Sequence, residues 1–466
     1  MEVVDIHKDY KKKNFSPMRR IALSFFMVII IGSILLTLDI ANMGSNLPYV
    51  DHLFIATSAT CVTGLAPIVI SHQYTLFGQI VILILIQIGG LGFLTLFNMM
   101  IVMFKKKLSY RNKMLMQEAL NQNSIKDISI YLRKVIRYTL FFEGIGAMLL
   151  SLEFVPEFGM VRGIYYSIFH SISAFCNAGF DLLGDSSLMA YQSDVYMNLV
   201  ISGLIISGGL GFIVWVDLRM MWKKYYERFR VFKVKKFMSS LSLHTKIAIV
   251  MTILLLTSGT VSILALEYSN PLTIGNLSLP EKVLASFFQS TTLRTAGFAT
   301  VNMADLYTPT KLLMSVFMFI GGSPAGTAGG VKTVTFAIII LYVISLSKGI
   351  DSVKVMRRSI SDQVVKRSLT ITMISFTLTI FALFVLTITE NLSFIDLLFE
   401  VFSAFATVGL TASVTPVLTC IGKVVIIVLM YIGRIGPITL VLLFANKYNQ
   451  MKGKDIAYPQ SDILIG

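Results

Sequence analysis

The chain alternates long apolar runs with short ones, and the order repeats. Residues 21–38 carry no charge, which predicts a retained membrane-spanning helix rather than a cleaved leader. The next apolar stretch, 51–62, reaches roughly 18 Å as a helix, about half of a hydrocarbon core of roughly 30 Å. A second long run, 76–104, then leads to Lys105-Lys106-Lys107. The same order returns at 138–155, 163–176 and 196–216. It returns again at 247–266, a helix starting near Pro280, and 312–346. The last copy is 369–389, a short helix opened by Ser393-x-x-Asp396, and 418–444. Start signals agree: Asp51 is placed to cap the first short helix, and Ser278-Leu279-Pro280-Glu281 is a capping box with an early proline. The pattern predicts an all-α polytopic membrane protein with eight full spans and four half-length helices.

Each short helix runs into a shared motif. Ser58-Ala59-Thr60-Cys61-Val62-Thr63-Gly64-Leu65 is matched by near-copies ending at Gly179-Phe180, Gly297-Phe298 and Gly409-Leu410. A hydroxyl residue lies six positions before every glycine (Ser58, Ser173, Thr291, Ser403) and a Phe ten before (Phe54, Phe169, Phe287, Phe399). The chain therefore divides into an N-terminal segment 1–20, pore repeat one 21–104, linker and repeat two 105–222, linker and repeat three 223–347, linker and repeat four 348–447, and a tail 448–466. Each repeat has an even number of full spans, so all four run the same way. That implies four fused helix–pore-loop–helix repeats around a pseudo-fourfold central pore.

Composition supports the membrane class: 55% of residues are hydrophobic and only 14% charged, against about 25% charged in soluble domains. The net charge of +15 does not point to nucleic acid, because 33 of the 40 Lys and Arg fall in five short segments beside apolar runs. Such clusters mark the cytoplasmic side, which places both termini in the cytoplasm and the chain in the inner (plasma) membrane, with lipid headgroups as neighbours. Cys61, Cys176 and Cys420 suggest small buried thiols and no disulfide framework. The five histidines form no paired motif, and no Asp pair lies in a span, so no enzyme is expected. No metal or covalent cofactor is indicated, and no nucleotide-binding fingerprint is present.

Four irregular segments at membrane depth must share a protein-lined or wet centre. The half-helices would aim the negative ends of their dipoles there, which favours a cation. Glycine then admits backbone angles that turn successive carbonyls to one axis, where they replace an alkali ion's water shell. The candidate filter residues are Val62, Thr63 and Gly64, Asn177, Ala178 and Gly179, Thr295, Ala296 and Gly297, and Thr407, Val408 and Gly409. No acidic ring appears among them, which disfavours a calcium-type filter.

These motifs, with Arg294-Thr295-Ala296-Gly297-Phe298 and Gly433-Arg434-Ile435-Gly436-Pro437, resemble the Ktr/Trk/HKT superfamily of potassium transporters over nearly the whole chain. Within it the KtrB-type membrane subunits fit best. Trk-type members are expected to carry two further N-terminal spans, and none precedes residue 21 here. In plant relatives a serine at the first filter glycine goes with sodium selectivity; Gly64 points to K+, with Na+ dependence left open. The resemblance implies channel-like K+ uptake, a homodimer, and a cytosolic nucleotide-binding regulatory ring of the KtrA type. The basic stretches 105–113, 223–236 and 354–367 are the expected contacts. The alternative is a secondary transporter of another small cation such as Na+.

One return span is interrupted by Gly321-Gly322-Ser323-Pro324-Ala325-Gly326-Thr327-Ala328-Gly329-Gly330-Val331-Lys332-Thr333. Glycine costs a helix roughly 1 kcal/mol and proline about 3, so this segment is expected to be a loop inside the membrane, a gate below the filter. Arg434 falls on the position of Gly90, Gly209 and Gly322. A charge at that depth needs a partner: either carbonyls of the loop, or an ion pair with Glu143 or Glu400. Arg294 is expected to point behind the filter, and Lys332 to hold the loop or face the cytosol. In copies one and two, Gly89-Gly90 and Gly208-Gly209 read as close helix packing.

Overall fold

A computed structural model of the chain describes residues 17–44, 47–92, 128–228, 234–350, 352–356 and 358–436. The first repeat is built from α1 (Pro17–Thr37), the half-length α2 (Tyr49–Cys61), a single turn α3 (Ile70–Gln73) and α4 (Leu76–Leu91). The second uses α5 (Ile128–Phe158), half-helix α6 (Met160–Cys176), α7 (Val195–Gly209) and α8 (Phe212–Arg228). After the short α9 (Val234–Ser240), the third repeat has α10 (Leu243–Glu267), half-helix α11 (Leu279–Thr292), α12 (Thr308–Phe319) and α13 (Thr333–Ser347). A small antiparallel hairpin, Lys354–Val355 against Arg358–Ser359, leads into the fourth: α14 (Asp362–Thr389), half-helix α15 (Phe394–Ala406) and α16 (Cys420–Ile435).

The first helices of repeats two, three and four are long enough to cross a membrane alone, over Tyr131–Phe158, Leu243–Glu267 and Asp362–Thr389. Their flanks present Leu152, Ile253, Val261, Phe381 and Phe384 outward, as apolar helix faces do against lipid. The expected continuous return spans are a different matter. α4 stops at Gly92, whose φ is 80°. α7 and α8 are bent by 93° around Gly211, whose φ is 88°. The third return span is split between α12 and α13, and α16 stops at Gly436, φ 91°. All four are thus interrupted at corresponding places. In the first, second and fourth the reason is local: glycine tolerates a positive φ that ends a helix; the third ends at Ile320, φ −91°, where the glycine- and proline-rich stretch was expected to break it. The continuations 93–104 and 437–444, the segment 1–16, the basic stretch 105–127 and the tail 448–466 lie outside the described residues.

The four repeats close into a circle through one repeated contact. The return helix of each repeat packs on the half-helix of the next: α4 on α6, α7 on α11, α12 on α15, and α16 back on α2. In repeats one, three and four the fourth helical residue of the return helix supplies the polar part of this contact; in repeat two that residue, Asn198, bonds its own preceding loop. Gln79 Oε1 accepts from Tyr165 Oη at 3.1 Å, Lys311 Nζ meets Asp396 Oδ1 at 2.8 Å, and Lys423 Nζ meets Asp51 Oδ1 at 2.5 Å. Asp51 therefore does not cap α2, whose N-cap is Pro48; it clamps the first repeat to the last. Asp396 likewise is drawn to Lys311, and Ser393 makes no side-chain cap. The capping box at Ser278 and Glu281 is present as expected.

The Asp51–Lys423 pair is largely shielded, at 8% and 16% side-chain exposure. Removing one partner of such a pair costs about 3–5 kcal/mol, whereas removing both charges together is far milder. Lys423→Met is expected to lower the melting temperature and the yield of monodisperse protein, and Asp51→Asn/Lys423→Gln to recover most of both. Equal losses in the single and double variants would show that the pair closes nothing.

Candidate functional site

Three half-helices end alike. In α2, α6 and α15 the residue after the helix is left-handed: Val62 φ 58°, Asn177 φ 59° and Thr407 φ 55°. The next N–H reaches back to a carbonyl five residues earlier: Thr63 to Ser58, Ala178 to Ser173 and Val408 to Ser403, each at 2.8 Å. This is a Schellman turn built without glycine at its left-handed position. Such angles cost a non-glycine residue on the order of 1–3 kcal/mol, most for a β-branched one. The strain sets the direction in which the next three residues leave the helix.

The third copy departs from the register that the sequence suggests. The buried ring ahead of its glycine is Phe288, at 0% exposure, where Phe54, Phe169 and Phe399 stand in the others. The hydroxyl that braces the strand is Thr292, donating to the Phe298 carbonyl at 2.7 Å. Thr291 instead bonds back into its own helix at the Phe287 carbonyl. The stretch from the buried ring to the glycine is therefore one residue shorter, and Ala296 N–H reaches the Thr292 carbonyl, four residues back. Thr295 still takes φ 64°. In the other copies the expected serines act: Ser58 and Ser403 accept from the Gly64 and Gly409 N–H at 3.1 Å, and Ser173 bonds Phe180.

The four glycines meet. Their φ values are 95° (Gly64), 68° (Gly179), 81° (Gly297) and 94° (Gly409). A methyl added to Gly64 would stand 2.6 Å from the Ala178 carbonyl oxygen; on Gly179, 2.7 Å from that of Ala296; on Gly297, 2.6 Å from that of Val408. On Gly409 it would collide with the Thr63 carbonyl oxygen, which returns to the first repeat. Gly64, Gly179, Gly297 and Gly409, with Thr63, Ala178, Ala296 and Val408 before them, thus form one closed ring in chain order. Each glycine lies against the carbonyl that precedes the next.

The broken span lies against the half-helix ends of this ring. Its mouth is pinned by the Ile320–Val331 bridge and by Thr333 N–H on the Gly322 carbonyl at 3.0 Å. Ser323 N–H bonds the Gly209 carbonyl at 2.9 Å, and Ser323 Oγ lies 3.1 Å from Thr333 Oγ1. Beyond Pro324, the Ala325 carbonyl accepts from Phe212 N–H at 3.0 Å. A methyl on Gly326 would press on the Gly208 carbonyl. Thr327 Oγ1 reaches Asn177 Oδ1 at 2.9 Å and the Phe175 carbonyl at 3.2 Å. Gly329 N–H reaches Thr295 Oγ1 at 3.3 Å, and Gly330 takes φ 64°. Lys332 does not face away: its Nζ donates to the Ala328 carbonyl at 2.6 Å and lies 3.4 Å from that of Gly329.

Arg434 meets carbonyls and no carboxylate. Its guanidinium donates to the Thr327 carbonyl of the broken span, and to Gly89 and Gly90 carbonyls of α4 at 2.5 and 3.2 Å. Glu143 is engaged by Gln87 Nε2 at 3.3 Å, and Glu400 by Thr411 at 2.6 Å and by Thr415; neither forms the expected ion pair. Arg294 is buried, and its guanidinium has no hydrogen-bond partner among the described residues. Only its carbonyl is engaged, by Asn177 Nδ2 at 3.1 Å. The glycines ahead of Arg434's position do pack closely: Gly89, Gly208 and Gly433 abut the carbonyls of Thr60, Phe175 and Phe405.

Sequence reasoning missed the side chain of Asn177 and the clamp residues Gln79, Lys311 and Lys423. The signal for the clamps was their common place, the fourth residue of the return helices of repeats one, three and four. It also missed Asp181, two residues past Gly179 on the opposite side of the ring from the broken span. Its carboxylate accepts from Leu183 N–H at 3.1 Å. Among the described residues no cluster of His, Cys, Asp or Glu could hold a metal ion.

Residues 7–455 match the TrkH family model, described as cation transport protein. The chain is 41% identical over 459 residues to the Ktr system potassium uptake protein B of Bacillus subtilis, covering 98% of this chain and 99% of that one. It is also 41% identical to the potassium/sodium uptake protein NtpJ of Enterococcus hirae, over 99% and 100% of the two chains. The crystal structure of the potassium transporter TrkH from Vibrio parahaemolyticus superposes with a TM-score of 0.73 over 94% of this chain and 87% of that chain, at 19% identity. The chain belongs to the TrkH family of cation transport proteins.

Proposed function

We propose that the chain is a channel-like transporter that takes up K+ through the glycine ring. The closed order of Gly64, Gly179, Gly297 and Gly409 carries this reading. Carbonyls of Val62 to Gly64, Asn177 to Gly179, Thr295 to Gly297 and Thr407 to Gly409 replace the ion's water shell. The four half-helix C-termini add negative potential below. No acidic side chain competes in these stretches, so the ring suits a monovalent ion handled by neutral oxygens.

The segment 321–332 with Lys332 and Arg434 is the gate. It lies on the half-helix side of the ring, and its apex contacts three ring residues: Asn177, Thr295 and Thr407. By the distribution of Lys and Arg, this side faces the cytoplasm and both termini lie there, in the plasma membrane. The exposed hairpin at 354–359 offers Lys354 and Arg358 on the same side. With the basic stretches it is where a cytosolic nucleotide-binding partner docks, on a homodimer of this chain.

Full-length protein in liposomes decides the matter. With an outside gradient, K+ and Rb+ are expected to enter and Na+ to enter far more slowly, with or without saturation by coupling ions. Equal K+ and Na+ entry would favour the second reading, a carrier of small cations, to which the name of the Enterococcus hirae relative lends weight.

A further inference from the structure

The residue two before each ring glycine takes left-handed angles in all four repeats, yet its side chain differs: Val62, Asn177, Thr295 and Thr407. Only Asn177 is an amide, with a donor and an acceptor on one planar group. Both are used, and in different directions. Nδ2 donates to the Arg294 carbonyl at 3.1 Å, the residue that leads into the third ring strand. Oδ1 accepts from Thr327 Oγ1 of the broken span at 2.9 Å. Asn177 and Thr327 are both 0% exposed, so water does not replace either bond when it is lost. Thr327 is also the residue whose carbonyl Arg434 holds. The apex of the broken span is therefore tied at one residue to the last helix, to the second ring strand and, through the amide, to the backbone of the third.

We propose that the Asn177 side chain is a positioning residue that couples the broken span to the ring, so that displacing the span and changing the ring's ion preference are one event. This rests on the reading of 321–332 as a gate. When Thr327 leaves, the amide oxygen loses its partner in a dry site, and the amide relaxes its hold on the Arg294 carbonyl. The third strand, whose backbone carries that carbonyl at its start, then moves. Arg294 adds to this, since its buried guanidinium has no bond of its own among the described residues to fix that turn.

The test uses full-length protein in liposomes with two readouts, K+ flux and the K+/Na+ permeability ratio. Asn177→Val installs the residue that repeat one carries at the same backbone angles, so the fold can accept it. Thr327→Val removes only the hydroxyl, at a site that shares no backbone with the ring. Each is expected to raise flux about two- to tenfold, the scale of one lost hydrogen bond, and to lower the permeability ratio. The double variant is expected to fall well short of the sum of the singles, because both break the Asn177–Thr327 bond, although Asn177→Val also removes the bond to the Arg294 carbonyl and Thr327→Val the longer contact to the Phe175 carbonyl. Thr327→Ser, which restores the hydroxyl, is expected to bring both readouts back. Deleting residues 326–330 serves as the reference for the gate. If that deletion raises flux while Asn177→Val and Thr327→Val keep wild-type flux and ratio, the coupling is overturned and the gate stands. Additive effects in the double variant overturn the coupling as well. A deletion that leaves flux unchanged overturns the gate, and the coupling with it.

Discussion

The Arg434→Ala protein is expected to pass more K+ than the unmodified protein at the same gradient, by about tenfold to a hundredfold. The guanidinium is the charged group that joins the apex of the broken span to α4 and the last helix, through the Thr327 carbonyl on one side and the Gly89 and Gly90 carbonyls on the other. Hydrogen bonds from a charged donor contribute about 1.5–3 kcal/mol, and a closed state that loses this much shifts its population by the same factor. The removed positive charge also stops repelling cations on the half-helix side of the ring. Arg434→Lys separates the two effects. It keeps the charge but cannot span three carbonyls with a planar fork, so its flux should fall between the two. Flux that drops in well-folded Arg434→Ala protein, measured by Rb+ uptake after checking monodispersity, would mean that Arg434 supports the path rather than closing it.

The second large effect is expected at Gly64. A β-carbon there would stand 2.6 Å from the Ala178 carbonyl oxygen and 3.1 Å from the Gly179 Cα. Both neighbours are backbone, so no side chain can turn away to make room. The φ of 95° is itself unfavourable for any other residue, by about 1–3 kcal/mol. The two strands must part, and the carbonyl spacing that selects the ion changes with them. Gly64→Ser and Gly64→Ala are both expected to reduce the K+/Na+ permeability ratio by about tenfold, which corresponds to about 1.4 kcal/mol. They should alter thermal stability much less, because the strain can be relieved by moving the ring alone. An effect from serine with none from alanine would trace the change to the hydroxyl instead of to the backbone. An unchanged ratio in both would remove the glycine ring from the permeation path.

Much of this was legible in the chain. The order of long and half-length apolar runs gave the half-helices at nearly their observed limits. Gly64, Gly179, Gly297 and Gly409 stood out because four copies of one motif are rare by chance. The gap from Gly321 to Lys332 was legible because glycine and proline cannot be hidden in a helix. Other features were not. Gly92, Gly211 and Gly436 were not distinguishable as helix ends, since a lone glycine in an apolar run signals close approach or a break equally well. Asp51 read as a cap because it opens a helix; its partner Lys423 lies in the last repeat, and nothing local records that the first and last repeats touch. Phe287 and Thr291 matched their counterparts by count, whereas Phe288 and Thr292 match them in space. One residue fewer at that junction is invisible when copies are aligned on the glycine.

The sequence by itself determined the class, the fourfold repeat, the half-helices, and the residues that end them, because periodicity and glycine act through local backbone energetics. Only the tertiary structure decided which group meets which. It sent Arg434 to three carbonyls instead of to Glu143 or Glu400, closed the circle through Lys423 and Asp51, and set the Asn177 amide between the broken span and the third strand. Those choices depend on distances between segments more than a hundred residues apart, and the charge and size of a side chain do not specify a partner until the chain has folded around it.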